Sequence, residues 1–233
     1  MILKNRIIPI IAMMICVAVL CLCCDFEKDK VAVNTKHTQL PQIILDAGHG
    51  GFDGGASAAD GTVEKDINLN IAQKVSAMLR LNGYNVIMTR TKDTGTEDDE
   101  SVAIAKRKKS DLLNRLQVMK DNLDGIYVSI HLNKFTTSAA NGAQVFYTKN
   151  YKEAYSLAQS VQKSITTLVQ PTNTRVVKQG TDSTYLLKNA AVPAIIVECG
   201  FLSNKAELEK LKDDNYQSQM AFAIVGGIMD YLK

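Results

Sequence analysis

The polarity of the chain changes period several times. Ile7 to Cys24 is a nearly unbroken apolar run, preceded by Lys4 and Arg6 and closed by the polar stretch Asp25-Phe26-Glu27-Lys28-Asp29-Lys30. Residues 31–41 form a short polar linker ending in Pro41, after which two kinds of segment alternate. Gln42 to Asp46, Tyr84 to Thr89, Ile126 to Ile130, Gln144 to Tyr147 and Ala194 to Val197 are short and apolar, as buried strands are. Between them, Glu64 to Leu81 carries apolar side chains at Ile67, Ile71, Val75, Met78 and Leu79 and stops at Gly83, which predicts a helix. Ser101 to Met119 predicts a second, with Leu112, Leu113, Leu116 and Met119 on one face, and Lys152 to Leu168 and Tyr216 to Leu232 predict two more. Strands alternating with helices define an α/β class: one domain, a mostly parallel sheet, helices on both faces.

The first apolar run has a different meaning. At about 18 residues it sits at the lower limit for crossing a bilayer, and it follows two positive charges. Residues 1–24 are therefore read as a signal peptide or N-terminal membrane anchor and 25–41 as linker, with everything beyond on the outer side of the cytoplasmic membrane. No small-x-small cleavage site is evident, which favours an uncleaved anchor. Leu20 and Leu22 stand before Cys21 and Cys23, where lipoprotein processing prefers a small residue, so lipidation is the lesser reading.

Length and composition narrow the picture further. A chain of 233 residues, with 46% apolar and 22% charged residues, suits one ordinary domain with a sizeable core. Of the 27 basic residues, Lys4 and Arg6 precede the apolar run, which leaves 25 against 24 acidic ones. That near-neutral balance argues against nucleic acid as a partner. Four of the five cysteines fall within residues 1–24, so the exported part keeps only Cys199 and has no internal disulfide.

The chemistry gathers at strand ends. In open α/β sheets ligands bind outside the carboxyl ends of the strands. Two of the three histidines belong there: His49, in "DAGHGG" after the first strand, and His131, in "GIYVSIHLN". Glu64 opens the helix that follows the first strand, and Glu198 follows the apolar run Ala194 to Val197. A catalytic zinc takes three ligands of this kind and keeps a fourth position for water. His49, Glu64 and His131 supply the set, and Glu198 is the candidate general base. Each residue also has a plainer role. His49 can be a polar turn residue, His131 a satisfied core histidine and Glu64 a favourable charge at a helix N-terminus. Glu198 is harder to dismiss, because a carboxylate after four apolar strand residues is costly without a partner.

Several other features read as structural. Cys199 should point away from Glu198 and pack, and His37 lies in the linker. Lys106-Arg107-Lys108-Lys109 spreads around a helix as a solvated stretch, with glycan contact as the alternative. The acidic residues Glu97 to Glu100 read as a solvated loop favouring the next helix, and "GGFDGG" lacks the spacing of a phosphate-binding loop.

Taken in order, "IILDAGHGGFDGGA", "EKDINLNIA", "VIMTR", "SIHLN" and "IIVECGFLSN" resemble the zinc-dependent N-acetylmuramoyl-L-alanine amidases, amidase type 3, over roughly Gln42 to Leu232. The resemblance implies a six-stranded, phosphorylase/hydrolase-like α/β domain over residues 42–233, one zinc ion, and peptidoglycan as substrate. Carried over by position, the zinc ligands fall on His49, Glu64 and His131, the catalytic glutamate on Glu198, and supporting or substrate-contacting roles on Asn133 and Arg115. Ala47 stands where the family more often has proline, and Cys199 where a small residue is usual; neither removes a ligand. A bare catalytic domain behind one N-terminal segment is most similar to the germination-specific amidases of spore cortex. That implies formation of the precursor of muramic δ-lactam, a location in the cortex space of a forespore, and control through expression, localisation or an activating protein partner. Two alternatives stay open: a vegetative autolysin for cell separation or wall turnover, and a catalytically silent wall-binding module. Loss of Glu198 or of a ligand would have marked the silent module, and all four residues are present.

Overall fold

Along β1 (Ile43–Ala47) every residue is buried, and its odd and even positions face different cores. This is what a strand covered on both sides requires, and it explains why the run reads as continuously apolar rather than alternating. In the computed structural model the described residues are Leu40–Lys233, which form one unit. The apolar run and the linker up to Gln39 lie outside them. No helix among the described residues is long and apolar enough to cross a membrane.

After β1 the chain continues through α1 (Glu64–Leu81), β2 (Val86–Met88), α2 (Ile104–Lys120), β3 (Ile126–Asn133) and β4 (Gln144–Tyr147). It then forms α3 (Glu153–Leu168), β5 (Lys178–Gln179), α4 (Tyr185–Lys188), β6 (Ala194–Phe201), α5 (Lys205–Lys212) and α6 (Asp214–Tyr231). The six strands make one sheet in the order β2-β1-β3-β6-β4-β5. Neighbours from β2 to β6 are parallel, and β4 pairs antiparallel with β6, so the sheet is mostly parallel, as expected for the α/β class.

The two faces are unequally covered. Ile43 and Leu45, Val128 and Ile130, and Val197 and Cys199 face the larger core with side chains of α1, α3, α5 and α6. Ile44, Tyr127, Ala194 and Ile196 face a smaller one closed by Leu116 and Met119 of α2 and Leu186 and Leu187 of α4. By strand alternation, Asp46, Ser129, His131 and Glu198 lie on this second face, further along the strands.

The structure corrects three expectations and adds a helix. The last strand does not end before Glu198 but runs on to Phe201, so this carboxylate stands within β6. On α2, Leu113 is 42% exposed, and the buried positions are Asp111, Arg115, Leu116 and Met119, so the predicted apolar face is half an ion pair. Lys205–Lys212 is helical although only Leu208 and Leu211 are buried in it; the Asn204 side chain, accepting from Ala206 and Glu207 N–H, caps it. The acidic loop is not simply solvated, since Glu97 is buried against Arg107 at 2.5 Å and Asp98 accepts from Ser110 and Asn114.

Candidate active site

β1 and β3 run side by side, with Ala47 opposite Ile130, so the residues that follow in register are Gly48 and His131. Glycine is required there by space. A Cβ on Gly48 would lie 2.3 Å from the His131 ring, far inside contact distance. We therefore expect Gly48→Ala to displace His131 and to abolish metal uptake while changing the global unfolding midpoint little; metal analysis after dialysis, beside a thermal melt, checks this. The next residue, His49, adopts a left-handed backbone (φ +62°), unusual for a residue with a side chain and of the kind that clusters at functional sites. Its ring packs edge to face with His131, centroids 5.0 Å apart.

Glu64 reaches this point from the first turn of α1. Gly55 (φ +69°) lets the preceding loop pass close, because a Cβ there would meet both Glu64 Oε2 and His49 Cδ2 at 2.6 Å. The Glu64 carboxylate is held from several sides. Oε2 accepts the Ala56 N–H at 2.8 Å, and Oε1 accepts the Leu132 N–H at 3.0 Å and Asn68 Nδ2 at 3.2 Å. The pairing of β3 with β6 shifts register between His131 and Asn133, and the Leu132 N–H in that stretch bonds Glu64. His49 Nε2 lies 3.3 Å and His131 Nδ1 3.0 Å from Glu64 Oε1. One donor atom from each of the three residues falls within 4.8 Å of the others. Two imidazoles and one carboxylate so placed form a donor set that could hold a metal ion.

The histidine loop leaves the sheet with several carbonyls unpaired, and two arginines satisfy them. Arg90, at the end of "VIMTR", donates from Nε to Ala47 O at 2.8 Å and from Nη2 to Gly48 O at 3.0 Å and Lys65 O at 2.8 Å. Arg115 donates to Ala47 O at 3.1 Å and His49 O at 2.7 Å, and its guanidinium pairs with Asp111 and the fully buried Asp46. Ser129 and Thr89 donate to the same Asp46 carboxylate at 2.5 and 2.6 Å. Burial opposes the charge on Asp46, but Arg115 and these hydroxyls hold its carboxyl well below the usual range. A buried polar layer thus lies under the site and fixes the loop that carries His49.

Glu198 differs from every other carboxylate around it. It is the register partner of His131 on one side and of Gln144 on the other, and its Oε2 is buried without a hydrogen-bond partner. Burial pushes its pKa up to about 7, with His131 pulling the other way and Glu64 adding to the rise. Glu64 goes in the opposite direction: burial works against its charge, yet hydrogen bonds to His131 and His49 hold it far below the usual carboxylate range. For His49, burial disfavours the charged ring, but bonds to Asp53 and Glu64 raise it to about 9. Two carboxylates whose environments drive them apart, one anionic and one poised near neutrality, make an acid–base division of labour.

The structure therefore brings His49, Glu64, His131 and Glu198 to one end of the sheet. Arg115 lies in the supporting layer beneath. Among the described residues the Asn133 side chain accepts a single bond, from Lys134 N–H, and makes none to the four. Cys199 is buried in the larger core, on the opposite face from Glu198, as expected. Sequence reasoning missed Asp53, Asn68 and Arg90. Asn68 had a signal, one helical turn after Glu64 on the buried face of α1. Arg90 makes its contacts across more than 20 residues to backbone atoms, which leave no trace in side-chain pattern.

An α/β sheet with such a donor set and a lone, partner-free glutamate belongs to the hydrolase class. The N-acetylmuramoyl-L-alanine amidase family model matches residues 43–230, and the chain belongs to that family. It is 36% identical over 189 residues to the germination-specific N-acetylmuramoyl-L-alanine amidase of Bacillus subtilis, covering 81% of this chain and 78% of the relative. Among solved structures it is similar to the CwlD amidase of Clostridioides difficile, determined in complex with the GerS lipoprotein. That likeness has 41% identity and a TM-score of 0.79 and covers 82% of this chain and 98% of the other. The amidase AmiC2 of Nostoc punctiforme is similar at 30% identity and TM-score 0.69, over 82% and 97% of the two chains. The chain is thus an amidase of peptidoglycan, similar to the germination-specific amidase of Bacillus subtilis.

Proposed function

We propose that the protein hydrolyses the amide between the lactyl group of N-acetylmuramic acid and L-alanine with one zinc ion held by His49, Glu64 and His131, acting on spore cortex. The observation that carries the reading is the contrast between the Glu64 carboxylate, locked by main-chain N–H groups, and the unpartnered Glu198 oxygen beside His131. Zinc, when bound, supplies a Lewis acid and lowers the pKa of water. Glu198, near pKa 7, takes a proton from the attacking water and passes it to the alanine nitrogen as the C–N bond breaks. His49 and His131 serve as ligands, and Arg115 and Arg90 hold the histidine loop in place. Asn133, at the rim of the same strand, contacts substrate in this reading.

Residues 1–24 act as anchor or signal peptide and 25–41 as tether, which places domain 42–233 outside the cytoplasmic membrane, in the cortex space. An activating protein partner fits the same reading, since the similar Clostridioides difficile amidase was solved with a lipoprotein bound. The test is mass spectrometry of products released from purified peptidoglycan, with enzyme as isolated, chelator-stripped, and zinc-reloaded. Stem peptides with free N-terminal L-alanine, lost on stripping and restored by zinc, are expected. Acetate or internally cut peptides would replace the reading with another hydrolase. In vivo, loss of muramic δ-lactam from the cortex of a gene-deleted strain is expected, whereas chained vegetative cells with normal cortex would favour the autolysin.

A further inference from the structure

We propose that Asp53 is the positioning residue of this site, fixing the His49 ring so that Nε2 faces Glu64 and His131, with Lys108 bracing it from across the cleft. The inference rests on the reading of His49 as a metal ligand. The loop itself cannot hold the ring, for His49 stands between glycines and its backbone is in the left-handed region. What holds it is Asp53. Oδ2 of this residue is 2.8 Å from His49 Nδ1, while the other ring nitrogen lies 3.3 Å from Glu64 Oε1. Gly50 and Asp53 exchange two backbone hydrogen bonds, at 2.9 and 3.0 Å, so the short turn folds the carboxylate back over the imidazole four residues earlier.

The second carboxylate oxygen is also engaged. Lys108 Nζ lies 3.0 Å from Asp53 Oδ1, and the Gly55 N–H donates to it at 3.4 Å. Lys108 belongs to the basic stretch Lys106 to Lys109, which reads in sequence as merely solvated. Two of its four members instead grip consecutive residues of the histidine loop. Next to the Lys108 contact, the Arg107 guanidinium lies 4.1 Å from the Phe52 ring centroid and pairs with the buried Glu97. A cleft of about 250 Å³ runs between these walls, lined by His49, Asp53, Lys108, Leu112, His131 and Leu186.

A ligating imidazole that gives its other nitrogen to a carboxylate has its tautomer and orientation fixed and its basicity raised. Asp53 meets that description, and no other carboxylate among the described residues touches His49 Nδ1. Asp93 provides the control. It accepts the Gly51 N–H at 2.9 Å and pairs with Lys65, so it ties down the same loop without touching His49.

The test is zinc affinity of the full chain by competition with a chromogenic chelator, for wild type, His49→Ala, Asp53→Ala, Asp53→Asn and Asp93→Ala. Circular dichroism melts accompany each variant. Asp53→Ala is expected to weaken zinc binding by about 10–100-fold, and Asp53→Asn, which keeps an acceptor oxygen, to recover part of that loss. Asp93→Ala is expected to stay within about threefold of wild type. Wild-type affinity in Asp53→Ala, or an equal loss in Asp93→Ala, overturns the proposal, the latter by showing that only loop order matters. A wild type that binds no zinc, or His49→Ala binding like wild type, overturns the metal reading and this proposal with it.

Discussion

Glu198→Gln is expected to lower kcat by about 10²–10⁴-fold and, in the metal-free protein at pH 8, to raise stability at the same time. Both effects follow from one carboxylate oxygen. Glu198 Oε2 is buried and accepts no hydrogen bond, so ionising it in the folded state is unfavourable, and burial lifts its pKa to about 7. Because the folded pKa lies above the unfolded one, the unfolded chain gives up this proton first as pH rises. Stability is therefore largest below about pH 4.5, falls through the window up to 7, and stays low beyond it. One pKa unit corresponds to about 1.4 kcal/mol, so the rise from 4.5 to about 7 predicts a gain of about 3 kcal/mol for the neutral amide at pH 8. Urea unfolding at pH 8 and at pH 5 separates the contributions. The variant should exceed wild type clearly at the higher pH and by less than about 1 kcal/mol at the lower. An equal difference at both would show that packing, not charge, sets the stability of this position.

Such a trade is consistent with how the rest of the site is built. Glu64, Asp46 and Asp53 each have partners that stabilise their charge, whereas Glu198 is left without one. A group that must exchange protons during turnover gains from having both states within reach. A group that must stay anionic gains from having several donors.

The parts of the fold that were legible in sequence are those where one physical rule dominates. α1 has an uninterrupted apolar stripe with Glu64 and Asp66 in its first turn, and its predicted span agrees with the observed one. β1 and β3, buried on both faces, stand out as apolar runs. Reading failed where polar residues do the packing. On α2 the buried positions include Asp111 and Arg115, so hydrophobic periodicity selects Leu113, which is exposed. β6 continues past Val197 because a strand can carry a carboxylate where its face is left open, and the sequence alone does not show which part of a face the covering helices leave bare. In the site, His49, Glu64, His131 and Glu198 were legible as chemistry. Asp53, Asn68 and Arg90 were not, since their value lies in contacts that exist only once the loop is folded.

Arg115→Ala is expected to destabilise the protein by about 3–5 kcal/mol, the range for removing one partner of a buried ion pair. Asp46 has no exposed surface and Arg115 almost none, so the truncation strands a carboxylate in the smaller core beneath the site. It also frees the His49 carbonyl, which water must then reach, while Ala47 O keeps its bond from Arg90 Nε. The folded pKa of Asp46 is depressed, so its contribution is present above the unfolded value, near 4, and is lost only as pH falls through the lower folded one. The wild type should therefore keep this pair at pH 4, where exposed carboxylates are already titrating. A double-mutant cycle with Asp46→Asn measures the coupling, expected at about 2–3 kcal/mol for neighbours in one network. The cycle also distinguishes the two tasks of the arginine. If Arg115 mattered only for the Asp46 charge, the double variant would recover both stability and metal binding. Because its Nη2 also donates to His49 O, stability is expected to return in part while metal affinity stays low, and full recovery of both would remove Arg115 from the machinery that positions His49.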